Sequence, residues 1–337
     1  MKIIDEIHNI NNGIWNINGN VVVNKERSLI NLGTKKVLKY DEEIKRCFYS
    51  NDYLFLLKDD GISILDENLN LLNRIDKNNA VGISIFDQEN YAIWFENEDE
   101  EEYFDLYSNA ELIGKGNFFY GKFLSKNYCY RFRKRKDLQH FRLTDLLDNK
   151  TYFEYQCEEG YELASEFYIW QDTLVFKYFN EDNSILEQRD IKTGKIIWKT
   201  NIQGSRFIFD EKRGLLASIW GKSGMYADSK DQYQIINLNT QTVEIGSPLK
   251  DFNFTQVESH METFLYDSKL YFSDNPFSYA GEEPNPIYVG CFDIESKKVD
   301  FIQAIPEMAG SQVAQIIRNG EKLYVRSSNG DLIVYDI

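Results

Sequence analysis

The chain has little of what most enzymes use. Among 337 residues there are three histidines, four cysteines and five prolines. His8, His140 and His260 lie far apart, with no HxH or HxxxH spacing, so a zinc site built from two of them is not expected. No GxSxG, no P-loop and no GxGxxG opening a helix is present, which removes the signatures of a nucleophile elbow and of phosphate cradles. Gly221 to Gly224 (GKSG) has no helix after it, and DNSILEQRD (Asp182 to Asp190) lacks the spacing and glycine of a calcium loop. No apolar run approaches the ~20 residues of a spanning helix, and mean hydropathy is -0.48. Basic residues are in the minority: 38 Lys and Arg against 54 Asp and Glu give a formal charge of -16. Such a surface repels nucleic acid and anionic membrane and favours solubility or a basic partner.

The N-terminal MKIIDEIHNINNG has one lysine, then Asp5 and Glu6, and no apolar core of the kind a secretory signal needs. The expectation is a cytoplasmic protein. Cys47, Cys129, Cys157 and Cys291 lie in or beside strand-like runs, so buried free thiols are expected rather than two disulfides.

What the chain has is aromatic strand sequence. Phe, Trp and Tyr make up 15% of residues, with 22 Tyr and 23 Phe, types that suit a pleated, half-buried surface. A hairpin of two alternating strands keeps returning. Its clearest copies are KLYVRSSNGDLIVYDI (Lys322 to Ile337) and NDYLFLLKDDGISILDENLNLL (Asn51 to Leu72). A period of about 40 residues, all strand, predicts a β-propeller of four-stranded antiparallel blades, strand A innermost and D outermost.

The middle strands B and C carry the strongest pattern. Pairs are expected at Asn20–Val23 with Leu29–Leu32, Tyr53–Lys58 with Ile62–Asp66, and Tyr91–Glu96 with Tyr103–Tyr107. Asn127–Arg133 with Leu138–Leu143 and Thr173–Phe179 with Ile185–Ile191 follow. The last three are Leu215–Ile219 with Tyr233–Leu238, Leu270–Ser273 with Ile287–Asp293, and Lys322–Ser327 with Leu332–Asp336. That predicts a single domain over residues 1–337 with eight blades, seven being the alternative. The sequence stops after strand C of the final unit, and Lys2 to Ile7 (KIIDEI) form a short alternating run before the first A strand near Gly13 to Ile17. The N-terminal run is therefore expected to supply the missing outer strand, which removes open edges.

DIKTGKIIWKT (Asp190 to Thr200) resembles the repeat of the pyrroloquinoline-quinone-like propellers: Asp, then Thr-Gly, then a strand reaching Trp. Weaker echoes stand at ILDENLNLL (Ile64 to Leu72), NLNTQTVEI (Asn237 to Ile245) and FDIESKKVDFI (Phe292 to Ile302). Thr193-Gly194 is expected to make the tight C-to-D turn, with glycine at φ > 0, and Trp198 to pack between blades. The resemblance implies architecture. Quinone enzymes of that class are exported and carry a cysteine pair and acidic metal ligands. No adjacent Cys–Cys is present here, so no cofactor and no metal are expected.

Two charge runs, Glu96 to Glu102 (ENEDEEE) and Arg131 to Lys136 (RFRKRK), fall in B–C connections of neighbouring blades. They are a bait for a basic partner and an anion or nucleic-acid patch, or two solvated loops that neutralise each other at ~0–1 kcal/mol per pair. Loop length is more informative. The B–C connections swell at Trp220 to Gln232 and Asp274 to Pro286, and the D–A connection between them, Ser247 to Ser259, is also long. In a propeller these connections share one face, and function in repeat scaffolds concentrates on such insertions. Trp220, Tyr226, Phe252, Phe254, Phe277 and Tyr279, flanked by Glu282 and Glu283, are the candidate partner-binding residues. The bland reading is that these aromatics tuck the loops onto the blades.

The expected function is a non-catalytic, monomeric protein-binding propeller for a basic partner, one version being an inhibitor or immunity-type protein. The alternative is an enzyme with a channel-mouth site acting on a carbohydrate or small metabolite, for which carboxylates from distant blades would have to converge.

Overall fold

The computed structural model describes all residues except 42–43, 45, 51–52, 78–79, 86–89, 97–101, 109–110, 118–120, 126–127, 133–139, 146–149, 204–205, 222–231, 248–263 and 276–284. For residues 12, 48, 50, 85, 96, 102, 117, 121–125, 128–132 and 165 it describes the backbone alone. The described residues hold eight four-stranded antiparallel sheets.

They divide into two compact units. The first comprises residues 1–41, 67–69 and 203–337. It opens with β1 (Lys2–Ile7) and a sheet of β2 (Ile10–Ile17), β3 (Asn20–Lys25), β4 (Ser28–Asn31) and β5 (Val37–Lys39). The second comprises 42–66 and 70–202. Its sheets are β6 (Arg46–Ser50), β7 (Tyr53–Lys58), β8 (Gly61–Leu65), β9 (Leu71–Ile75); β10 (Ala80–Ile85), β11 (Asn90–Glu96), β12 (Glu102–Ser108), β13 (Glu111–Asn117); β14 (Gly121–Ser125), β15 (Tyr128–Phe132), β16 (His140–Asp145), β17 (Lys150–Gln156); and β18 (Glu162–Trp170), β19 (Thr173–Phe179), β20 (Ser184–Asp190), β21 (Ile196–Ile202). The first unit then resumes with β22 (Ile208–Asp210), β23 (Leu215–Ile219), β24 (Tyr233–Asn237), β25 (Thr242–Gly246) and with β26 (Phe264–Tyr266), β27 (Lys269–Asp274), β28 (Tyr288–Asp293), β29 (Lys298–Ala304). It ends on β30 (Val313–Asn319), β31 (Lys322–Ser327) and β32 (Leu332–Asp336). The predicted strand pairs are found among the described residues; of the fourth pair, Asn127, Arg133, Leu138 and Gln139 lie outside them. The N-terminal run is the outer strand of the last sheet, with Lys2 opposite Asp336 and Ile7 opposite Leu332.

Burial explains why the middle strands read so clearly. β3, β7 and β28 are buried over their four central residues, whereas outer strands β5, β9 and β25 are mostly exposed. A strand sandwiched between neighbouring sheets needs apolar residues on both faces; an outer strand does not. Within the first unit one cluster joins β22–β25 to β26–β29 through Ala217, Ile219, Tyr233, Leu270 and Phe292. A second joins β26–β29 to the last sheet through Tyr271, Cys291, Val313, Val325 and Tyr335. A third joins the last sheet to β2–β5 through Ile14, Val23, Ile317 and Leu332. First strands lie beside first strands, β22 by β26, β26 by β30 and β30 by β2. In the second unit Phe55, Ile62, Ile93 and Tyr107 join β6–β9 to β10–β13, and Phe141, Leu143, Phe167, Phe176 and Tyr178 join β14–β17 to β18–β21.

In four sheets the turn after the third strand is built by one device. Asn31 Oδ1 accepts from Gly33 and Thr34 N–H at 2.9 Å each, and Asp293 Oδ1 from Glu295 and Ser296 N–H at 2.9 and 2.8 Å. Asn237 Oδ1 accepts from Asn239 and Thr240 N–H. At Asp190 both the N–H and the hydroxyl of Thr193 donate at 2.7 Å. Asx residues close turns in this way. Four residues on, the chain enters the left-handed region at Lys35, Gly194, Gln241 and Lys297. Gly194 meets a second demand, since a β-carbon there would lie 2.9 Å from Phe153 Cγ.

Just beyond the turn the outer strand carries an extra residue in five sheets. The register shifts between Ile64 and Leu65, Leu106 and Tyr107, Leu143 and Thr144, Gln188 and Arg189, and Cys291 and Phe292. Such bulges leave consecutive side chains outward, and three of them expose aliphatic doublets: Leu71-Leu72, Leu112-Ile113 and Ile196-Ile197.

Candidate functional site at the loop-bearing end of two sheets

The three longest interstrand connections of the chain start and end in the first unit. They run from β23 to β24, from β25 to β26 and from β27 to β28. In an antiparallel meander these strand termini share one end of each sheet, so the connections depart together. Of the predicted contact residues, Tyr226, Phe252, Phe254, Phe277, Tyr279, Glu282 and Glu283 lie outside the described residues. Trp220 is described. It is 2% exposed, among the largest buried side chains, and so offers a partner almost no surface; it belongs to the base from which the loops rise.

That base is closely bonded. Trp220 N–H donates to Gln232 O at 2.9 Å, and Gln232 N–H donates to Gly246 O at 2.7 Å, which extends the β23–β24–β25 ladder by one rung. Asn275 donates through Nδ2 to Ser273 Oγ at 3.1 Å and accepts at Oδ1 from Val313 N–H at 2.9 Å, tying the end of β27 to the start of β30. Ile305 N–H donates to Ile287 O at 2.8 Å. Two rings sit where glycines leave room. A β-carbon on Gly246 would lie 2.6 Å from Tyr233 Cε1, and one on Gly290 2.3 Å from Phe272 Cζ. Tyr233 hydroxyl donates to Glu244 Oε1 at 3.2 Å. Ser218, Gln232, Gln234, Ser273 and Asp274 are buried around this end. Gln232 is 1% exposed, and neither its Nε2 nor its Oε1 has a hydrogen-bond partner among the described residues. Apart from Trp220, none of these base residues carried a signal in the sequence beyond standing at the end of a predicted strand.

Chemistry elsewhere is dispersed among the described residues. His8 pairs with Asp331 at 2.8 Å at the surface, His140 with Glu154 at 3.6 Å, and His260 lies outside the described residues. No group of three His, Cys, Asp or Glu suited to a metal occurs among the described residues. Cys47, Cys157 and Cys291 are free thiols; the Cys129 side chain is not described. Burial pushes the thiols of Cys157 and Cys291 up to about 11, and that of Cys47 higher still, which leaves them protonated and poorly nucleophilic at neutral pH. The two charge runs fall almost wholly outside the described residues.

Three sheets of the second unit instead place a cross-strand polar pair at the same rung. Lys115 Nζ lies 3.2 Å from Asp105 Oδ1, Arg142 donates to Glu154 at 2.6 Å with the signs reversed, and Glu187 stands opposite Lys199. Glu187 is 1% exposed and accepts from Tyr178 hydroxyl at 3.0 Å and from Arg189. Each acid is met by its own neighbours, which marks these groups as sheet structure.

No family model matches this sequence, and no curated protein does. Solved structures do. The C-terminal WD40 domain of Sif2 covers 100% of this chain and is covered to 98%, with TM-score 0.63 and 10% identity. The Dos1 propeller gives 0.57 at 12% identity over 99% of this chain and 94% of its own. The computationally designed Ika8 protein gives 0.57 at 8% identity, with 99% and 98% covered. The fold is that of a β-propeller. At these identities the likeness is one of fold alone, and the quinone-type repeat at Asp190–Trp198 marks propeller architecture without assigning this propeller to a sequence family.

Proposed function

We propose that this propeller is a protein-binding module whose partner is basic and docks on the loop-bearing end of β22–β29. The observation that carries the reading is positional: the three longest connections of an otherwise tightly turned chain leave the same end of two adjacent sheets. Those connections hold Tyr226, Phe252, Phe254, Phe277 and Tyr279 beside Glu282 and Glu283, aromatic anchors with an acidic rim. The net charge of -16 would speed encounter with a cationic surface and suppress binding of anionic ones. An inhibitor or immunity-type role, in which the propeller covers a basic effector, is one form of this reading. The buried hydrogen-bonded base supports it by holding the loop roots in place, so that less ordering cost falls on the complex.

The test is affinity capture from the source organism's lysate at low and high salt, comparing the wild type with Phe277→Ala/Glu282→Lys/Glu283→Lys. A stoichiometric basic protein retained at low salt, weakened as salt screens the contact and absent from the variant, is expected. A partner that the variant retains equally, or none at all, overturns the reading.

A further inference from the structure

Among the outer strands β21 stands apart. From the turn at Ile191 to the end of β21 at Ile202 the chain reads IKTGKIIWKTNI, with Lys192 and Lys195 in the turn, Lys199 in the strand and no acid, inside a protein of charge -16. All three lysines are exposed. Ile196 and Ile197, the doublet of the bulge, are 55% and 43% exposed. Acids interrupt β1 at Asp5 and Glu6, β13 at Glu111, β17 at Glu154, β25 at Glu244 and β29 at Asp300. The cation of β9, Arg74, is held by Asp60 and Asp76, and β5 has only three residues. β21 is the terminal strand of its sheet, bonded to β20 alone. Among the described residues its far edge therefore presents backbone N–H and C=O groups that no strand takes up, a template for pairing.

We propose that the outer edge of β21 accepts an extended acidic segment of a partner protein as an added strand. Main-chain bonds along such an edge supply affinity, and side-chain pairs across it supply choice. Charge decides the occupant. A second copy of this chain would pair antiparallel across a two-fold axis. Such a pair would bring a second set of Lys192, Lys195 and Lys199 to the same short edge, and like charges brought together destabilise. The lysines that reject a self-pair favour carboxylates at the same places, and the isoleucine doublet offers apolar residues of the incoming strand a contact. This edge belongs to a different unit from the loop-bearing end and selects a partner of opposite charge, so the two readings stand or fall separately.

The probe is a fluorescent seven-residue peptide alternating Glu with Val, titrated by anisotropy against the full-length protein. Controls are the same peptide N-methylated at alternate residues and a Lys–Val counterpart. Saturable binding of the Glu–Val peptide, loss of binding on N-methylation, and weakening of about tenfold in Lys192→Glu/Lys195→Glu are expected. That variant alters two exposed lysines away from Glu187, and circular dichroism checks that it stays folded; it should now prefer the Lys–Val peptide. No saturable binding to wild type at about 1 mM, equal binding of the N-methylated peptide, or undiminished binding by the folded variant each overturns the proposal.

Discussion

Gly290→Ala is the sharpest probe of how the base of the loop-bearing end is packed. Gly290 lies directly opposite Phe272 in the β27–β28 ladder, and Phe272 is 1% exposed. A β-carbon there would sit 2.3 Å from ring Cζ, where carbon contacts settle at about 3.5–4.0 Å. The ring would have to move by more than ~1 Å into a cluster already filled by Ala217, Ile219, Tyr233, Leu270 and Phe292. Alanine regains about 0.5–1 kcal/mol of the entropy a strand glycine loses. Overpacking of a dense core costs about 1–3 kcal/mol. The single variant should therefore be destabilised by about 1–2 kcal/mol. Phe272→Leu alone leaves a cavity and should cost about 1–2 kcal/mol. In the double variant the new methyl occupies space the ring has vacated, so the total should fall short of the sum by at least about 1 kcal/mol. Urea unfolding followed by tryptophan fluorescence measures all four corners of the cycle. Additivity within about 0.5 kcal/mol, or a Gly290→Ala protein more stable than wild type, would show that the glycine is not there to admit the ring.

Two further predictions concern titration. Hydrogen bonds from Thr193, side chain first, hold the Asp190 carboxyl below its ordinary 3.8, and the Ser296 N–H does the same for Asp293. Lowered folded values give stability that is present above the unfolded value and lost as pH falls through the folded one. Asp190→Asn/Asp293→Asn keeps the acceptor, as Asn31 and Asn237 do, and removes the proton. The variant should lose less unfolding midpoint than wild type between about pH 5 and pH 3; equal losses would sink the idea. For the cysteines, a Cys47→Ser/Cys129→Ser background isolates Cys157 and Cys291, whose thiols burial raises to about 11. Thiol labelling at pH 8 should be slow and should accelerate in urea or as pH climbs toward 11, whereas native labelling at the unfolded rate would contradict the burial.

The sequence was most legible where burial acts on both faces. Leu54–Leu57 and Val21–Val23 must be apolar at consecutive positions because sheets press on either side, so strands two and three announced themselves in every sheet. Outer strands were faint for the opposite reason. Ile196-Ile197 and Leu112-Ile113 break alternation at a bulge, and a period of two cannot register an extra residue. The turns gave a partial signal. Asp190-Ile-Lys-Thr-Gly was readable, yet Asn31, Asn237 and Asp293 complete the same turn with Lys35, Gln241 and Lys297 in the left-handed position. Sequence rules assign that position to glycine, whereas the Asx hydrogen bonds hold it for other residues too. Trp220 misled in one respect: it stands where a long connection begins, but an aromatic at a loop root can face the core as readily as solvent.

That distinction bears on why this molecule's work is hard to read from its residues. Most of its distinctive polar groups serve the scaffold. Asp105 with Lys115, Arg142 with Glu154 and Glu187 with Tyr178 and Arg189 answer each other within single sheets, and a reversed sign in one of three identical rungs shows that the pair matters and its direction does not. Under the proposed readings a partner would instead be met by the three long connections and by the backbone edge of β21 with Lys192 and Lys195 in the turn before it. The two sequences differ in charge, Glu282 and Glu283 against Lys192 and Lys195, so the proposed readings call for partners of opposite sign and each can be tested without the other.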